Sequence, residues 1–132
     1  PPNATPEQIV QVKAYVKGCN EALFAGKLSS SGRVSTKGSL RRQASKAAQK
    51  EAQRAAKAGA PYKEHVGHVP DTTWTGTPEP HAWLDLDSVV NSSLGGQSNR
   101  YPVGYKPEGF VYKEESSGKM ERTNSNNVKR KK

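Results

Sequence analysis

The sequence predicts a mainly α fold: a small single domain with an N-terminal amphipathic helix, an Ala-rich basic helix and a loop-rich region that leaves room for one short hairpin. Three observations carry this. Ile9, Val12, Val16, Cys19 and Leu23 recur at alternating spacings of three and four, which puts them on one helical face. Residues 39–58 are dominated by Ala, the best helix former, with Lys, Arg and Gln between. Only 32% of the 132 residues are hydrophobic, against roughly 45–50% (glycine included) in an average domain, so the core must be small.

The first helix starts where Thr5 can cap, Pro6 suits the first helical position and Gln8 completes a capping box. Gly26 is its expected stop. Residues 27–38, rich in Ser, Gly and Thr without periodicity, read as a linker or mobile loop. The second helix spans about 39–58 and ends before Gly59 and Pro61. Leu40, Ala44, Ala47, Ala48, Ala52 and Ala55 give it a face of small side chains, whereas Arg41, Arg42, Lys46, Lys50, Arg54 and Lys57 make the remainder positive, opposed by Glu51 alone. Such a face is commonly just solvated; its one-sided sign also suits phosphate tracking.

Residues 61–110 hold the three histidines and most aromatics and prolines, and read as short elements joined by turns. One short helix is expected over 85–94 and a strand over 109–113. Trp74, Trp83, Tyr101, Tyr105, Phe110 and Tyr112 are the natural core builders, with one or two free to stack on bases. From Glu114 onward the chain is polar and ends in Lys129-Arg130-Lys131-Lys132, a composition that is disordered in isolation. The chain thus divides into a helical region with its linker (1–60), a region bearing candidate chemistry (61–113) and a basic tail (114–132).

The formal net charge is +9, from 21 Lys and Arg against 12 Asp and Glu. This bears on partners rather than fold: nucleic acid, an anionic membrane surface or an acidic protein. Cys19 is the only cysteine, so an internal disulfide and a thiolate zinc site are excluded. No apolar run approaches the ~20 residues of a membrane span. The start, Pro1-Pro2-Asn3-Ala4-Thr5, lacks the basic and apolar regions of a secretory signal. It is not Met either, and the chain reads as the C-terminal domain of something longer.

Of His65, His68 and His81, only His68 has an acid at close spacing, Asp71. Pro70 fits the first turn of a helix, so His68 is expected in the loop entering one and Asp71 in its first turn. Exposed N–H groups there favour anions. Asp71 could bind Mg²⁺, which prefers oxygen ligands, and His68, with an unperturbed pKa near ~6.5, could take a proton from an attacking water or serve as a second ligand. His65, His68 and Asp71 together could also form a His₂-carboxylate zinc set, ranked lower because Gly67 and Pro70 prevent one helix from aligning them. His-x-x-Asp alone is a weak signal, and a structural hydrogen bond is its commoner meaning. Asn91-Ser92-Ser93 before Gly95-Gly96-Gln97 reads as a helix cap and turn, or as a tight turn presenting amides and hydroxyls to a phosphate. Arg100 could clamp a phosphate bidentately. Asn91-Ser92-Ser93 also matches a glycosylation sequon, with nothing else pointing to a secretory route.

His68-Val69-Pro70-Asp71, Gly76, and Val90-Asn91-Ser92-Ser93-Leu94-Gly95-Gly96-Gln97 resemble the novel toxin fifteen family of bacterial polymorphic toxins, which includes type VI secretion DNase effectors. The resemblance covers residues 62–112. Two departures stand out: Thr72-Thr73-Trp74-Thr75-Gly76 holds one glycine where the family pattern is richer, and the basic Ala-rich helix lies outside the motif.

The resemblance implies a largely α-helical endonuclease that hydrolyses DNA phosphodiesters with a divalent metal, most readily Mg²⁺, through His68 and Asp71. Asn91, Ser92, Gln97 and Arg100 become candidate positioning groups, and Arg41, Arg42, Lys46, Lys50 and Arg54 candidate DNA-backbone contacts. It further implies delivery by a secretion apparatus into the cytoplasm of a competing bacterial cell, and a cognate immunity protein, expected to be acidic. The alternatives on the same charge pattern are a non-catalytic nucleic-acid-binding module and an RNase on the same scaffold.

Overall fold

A computed structural model describes residues 4–112 and the backbone of 120–123. Its order is α1 (Pro6–Phe24), α2 (Ser39–Lys57), β1 (His65–Val69), α3 (Thr72–Thr75), β2 (Ala82–Leu86), α4 (Ser88–Asn99), β3 (Gly109–Tyr112) and β4 (Met120–Thr123). The fold is mainly α. β1 pairs antiparallel with β2, and β3 with β4. The expected strand at 109–113 is β3, ending at Tyr112; Lys113 and the basic tail lie outside the described residues, apart from the backbone of β4.

α1 begins with the expected capping box: Gln8 N donates to Thr5 Oγ1 at 3.1 Å and Thr5 N to Gln8 Oε1 at 2.9 Å. Its buried face is Val12, Tyr15, Val16, Cys19 and Ala22, with Ile9 and Leu23 half-buried. Tyr15 joins that face because it follows Val12 by three and precedes Cys19 by four. Gly18 stands where α1 crosses β1, and a Cβ there would collide with Val69. Asn20 works as a substitute strand: its side chain donates to Phe110 O and accepts from Phe110 N, both at 2.8 Å. Around this helix Trp74, Val69, Leu86, Val90, Leu94 and Phe110 close the core, with Tyr101, Tyr105 and Tyr112 packed against it. Trp74 meets Tyr101, Tyr105 and Phe110 edge-on.

The β1–β2 pair is a short hairpin of the kind the sequence left room for, within a region read as short elements joined by turns. Residues 65–69 and 82–86 are too short and too mixed in polarity to announce themselves as strands. Their register is fixed from the far side. Asp85 accepts from Lys63 N and Glu64 N, while Leu86 and Val69 are both buried. Gly67 is required here because a Cβ would strike the Leu86 side chain.

The helix expected over 85–94 is α4, which starts at Ser88 and runs through Gly95 and Gly96 to Asn99. Asp87 caps it, accepting from Val89 N and Val90 N. The Gly-Gly pair does not stop it because Val90, Leu94, Gln97 and Ser98 bury one face, and Trp74 Nε1 donates to Ser98 Oγ at 3.1 Å.

Residues 27–38 are also corrected: they are not a free linker. Ser29 N bonds Trp74 O, Val34 N bonds Thr73 O and Arg33 N bonds Tyr105 O, each at 2.8 Å. The segment is thereby laid along α3 and the 104–105 turn.

Candidate functional site

The hairpin decides where His68 lies. Successive strand residues face opposite sides. Gly67 and Val69 turn into the core, and Val66 and His68 turn the other way, toward α2. The α2 residues that meet them are Arg41, Ala44, Ser45 and Ala48, spaced as one helical face. Thr36, Asp71, Thr72, Thr73 and Asn99 complete the lining of an open cleft of about 380 Å³. The small residues of the Ala-rich helix therefore do more than pack: they leave space beside His68.

His68 belongs to β1 rather than to the loop expected from the sequence. Its imidazole is half-buried, lies 4.6 Å from the Trp83 ring, and has Nε2 3.1 Å from Pro78 O. A carbonyl only accepts, so this contact assigns the proton to Nε2 and leaves Nδ1 as the basic nitrogen. Burial pushes the His68 pKa below its ordinary value, against the smaller opposing pull of the Asp71 carboxylate and of the Pro78 and Ala44 backbones. Burial thus favours the neutral imidazole, the form able to accept a proton.

Asp71 stands at the helix entrance, as its N-cap rather than in the first turn. Its Oδ2 accepts from Thr73 N at 3.0 Å and from Thr73 Oγ1 at 2.8 Å, while its own N donates to Tyr15 Oη at 3.0 Å. The cap, anchored to α1 through Tyr15, fixes the carboxylate at the cleft. Oδ1 accepts no hydrogen bond among the described residues.

No family model, curated protein or solved structure matches this chain.

The other named residues divide sharply. Arg41 lines the cleft with His68 and Asp71. Arg42, Lys46 and Lys50 form an exposed row along the outer side of α2. Arg54 is engaged elsewhere: it forks onto Glu51 with both contacts at 2.7 Å, and Tyr62 Oη donates to the same carboxylate at 2.7 Å. These bonds hold the Glu51 pKa down at about 2. Asn91, Ser92, Gln97 and Arg100 do not line the cleft. Asn91 and Ser92 are exposed within α4, Gln97 is buried and donates to Ser93 Oγ at 3.1 Å, and Arg100 is the exposed C-cap. The tight turn expected around Gly95-Gly96 is therefore a helix interior. Asn99 was not singled out in the sequence. It comes to the cleft because Arg33 Nη2 donates to its Oδ1 at 2.8 Å, across 66 residues of chain. No local pattern announces such a contact.

The possible metal sets also divide. His65 and His68 are an odd number apart on one strand and so face opposite sides, which dissolves the His65, His68 and Asp71 zinc set. His81 reaches toward Glu21 at 3.8 Å. Among the described residues no group of three or more His, Cys, Asp or Glu could hold a metal by protein ligands alone. Mg²⁺ asks for less: one or two carboxylates, with waters and substrate phosphates filling the remaining positions. The uncommitted oxygen of Asp71 fits that requirement.

Proposed function

We propose that this chain is a DNA-cleaving toxin domain of the novel toxin fifteen type, hydrolysing phosphodiester bonds in competing bacteria. The observation that carries the reading is the single cleft shared by His68, Asp71 and the inner face of the basic helix α2. Asp71 would hold Mg²⁺ through its carboxylate, and the ion when bound supplies neutralising charge at the phosphate. His68, neutral and oriented by Pro78, takes a proton from the attacking water on Nδ1. Arg42, Lys46 and Lys50 hold flanking backbone by counterion release, without base preference.

An acidic immunity protein that covers this basic surface fits the same electrostatics, and its affinity should fall steeply with salt. Among the described residues no helix is long and apolar enough to cross a membrane. Delivery through a secretion apparatus joined to the N-terminal side belongs to the same proposal.

The test is incubation of supercoiled plasmid with the chain in Mg²⁺ and then in EDTA. Cutting in Mg²⁺ that EDTA stops is expected, and binding that shifts plasmid without cutting it points instead to a non-catalytic module. One observation favours a second reading, an RNase: the cleft holds a single carboxylate, and RNA brings its own 2′-hydroxyl nucleophile. Parallel digestion of RNA and DNA separates the two.

A further inference from the structure

The basic side chains of this chain differ in what they touch. Arg54 is spent on Glu51, Arg33 reaches Asn99, and His81 faces Glu21. Arg42, Lys46 and Lys50 stand in solvent on the outer side of α2. Arg41 alone among the Lys and Arg of the described residues lines the cleft, and its guanidinium has no ion pair or hydrogen bond among them, not even with Asp71 across the same space. The same lining brings hydroxyls and an amide from Thr36, Ser45, Thr72, Thr73 and Asn99, together with His68 and the Asp71 carboxylate.

An exposed guanidinium at the mouth of a cleft, with no protein counterion among the described residues and with hydroxyls and an amide in the same lining, is suited to a phosphate oxygen pair, which its fork grips bidentately. From this we infer that Arg41 is the group that binds the reacting phosphate and stabilises its transition state, distinct from the outer row that tracks flanking backbone. The inference rests on the nuclease reading for its catalytic half and on the cleft alone for its binding half. Arg100, the clamp suggested by the sequence, lies outside the cleft, and Arg41 replaces it in that role.

Two measurements test this. In EDTA, inorganic phosphate titrated into the wild-type chain should move the NMR signals of the His68 ring and of the Thr72 and Thr73 amides. Arg41→Ala should abolish the movement, and Arg41→Lys should restore part of it. In Mg²⁺, Arg41→Ala should lower the cleavage rate at saturating DNA by about 10²-fold or more, the loss typical of one transition-state donor. Lys46→Ala should instead raise the DNA concentration needed for half-maximal rate and reduce the salt slope by about one. A phosphate titration that moves no cleft signal overturns the inference, as does an Arg41→Ala variant that changes only the half-saturating concentration. A chain that binds phosphate through Arg41 yet cuts no DNA supports the subsite and overturns the nuclease reading.

Discussion

The two ends of the β1–β2 hairpin are built alike and equipped differently. Each strand ends, within two residues, at an aspartate that caps the next helix: Asp71 after β1 and Asp87 after β2. Each has a histidine nearby, His68 for Asp71 and His65 for Asp87. At the Asp87 end three donors converge on one carboxylate oxygen, Oδ2. Gln8 Nε2 gives it a hydrogen bond at 3.1 Å, Val89 N and Val90 N give two more, and these bonds hold its pKa below the ordinary range. His65 there is exposed. At the Asp71 end, as at the Asp87 end, one oxygen takes the capping bonds and the other accepts none among the described residues; the difference is that His68 is half-buried against Trp83 beside an open cleft that Asp71 also lines. On the proposed reading the same motif, strand then aspartate then helix, serves a structural end and a chemical one. What separates them is the cleft that α2 forms over the His68 face of β1, which Asp71 lines and Asp87 does not.

The sharpest way to break this comparison is to exchange the histidines for alanine one at a time. His68→Ala should lower plasmid cleavage by roughly 10²–10⁴-fold, the usual contribution of a positioned proton acceptor, whereas His65→Ala should cut at the wild-type rate. Equal losses in both would remove the distinction between the ends.

Stability offers the next largest effect. Trp74 holds both ends together, since it is 1% exposed, bonds Ser98 and meets three aromatic rings. Trp74→Ala should cost about 3–5 kcal/mol in denaturant unfolding. A cost below about 1 kcal/mol would mean that the ring is not central to the core. Gly67→Ala should cost about 1–3 kcal/mol, because the new Cβ meets Leu86 in the middle of the hairpin. A neutral result would contradict the register.

The helices were legible because their signals are local. Thr5, Pro6 and Gln8 announce α1, and the alanine run predicts α2 over 39–58 against an observed Ser39–Lys57. A short hairpin could be allowed for but not located, because its pairing spans His65 to Leu86 and its strands carry glycine and histidine where alternating apolar residues would be expected. The cleft inherits that difficulty. His68 and Asp71 could be named from their spacing, but their joining with Arg41 and Asn99 depends on packing of α2 against β1 and on Arg33 reaching across the fold. Gly95-Gly96 misled for the opposite reason: a local stop signal was overridden by burial of Leu94, Gln97 and Ser98.

The smallest effect expected is in pH dependence. The folded pKa of His68 lies below its unfolded value near 6.5, so the unfolded chain binds the proton first. Its contribution to stability is then complete above about pH 6.5 and is lost as pH falls through the lowered folded value. Cleavage limited by neutral His68 should follow the same acid limb, holding its rate below pH 6.5 before declining. His68→Ala should flatten that limb of the stability curve, and an unchanged curve would contradict burial as the cause. Asp87 works in the same direction at lower pH: its stabilisation is present above the ordinary aspartate value of 3.8 and lost as pH falls through the depressed one.

The central claim, that one capping aspartate does chemistry and its counterpart does not, is tested most directly by Asp71→Asn and Asp87→Asn in the Mg²⁺ plasmid assay, with thermal unfolding measured on both. Asn caps a helix about as well as Asp, so the exchange removes charge while keeping the fold. Asp71→Asn should unfold near the wild-type temperature and no longer cut DNA, whereas Asp87→Asn should cut as wild type does. A folded Asp71→Asn chain that cuts at the wild-type rate would contradict it.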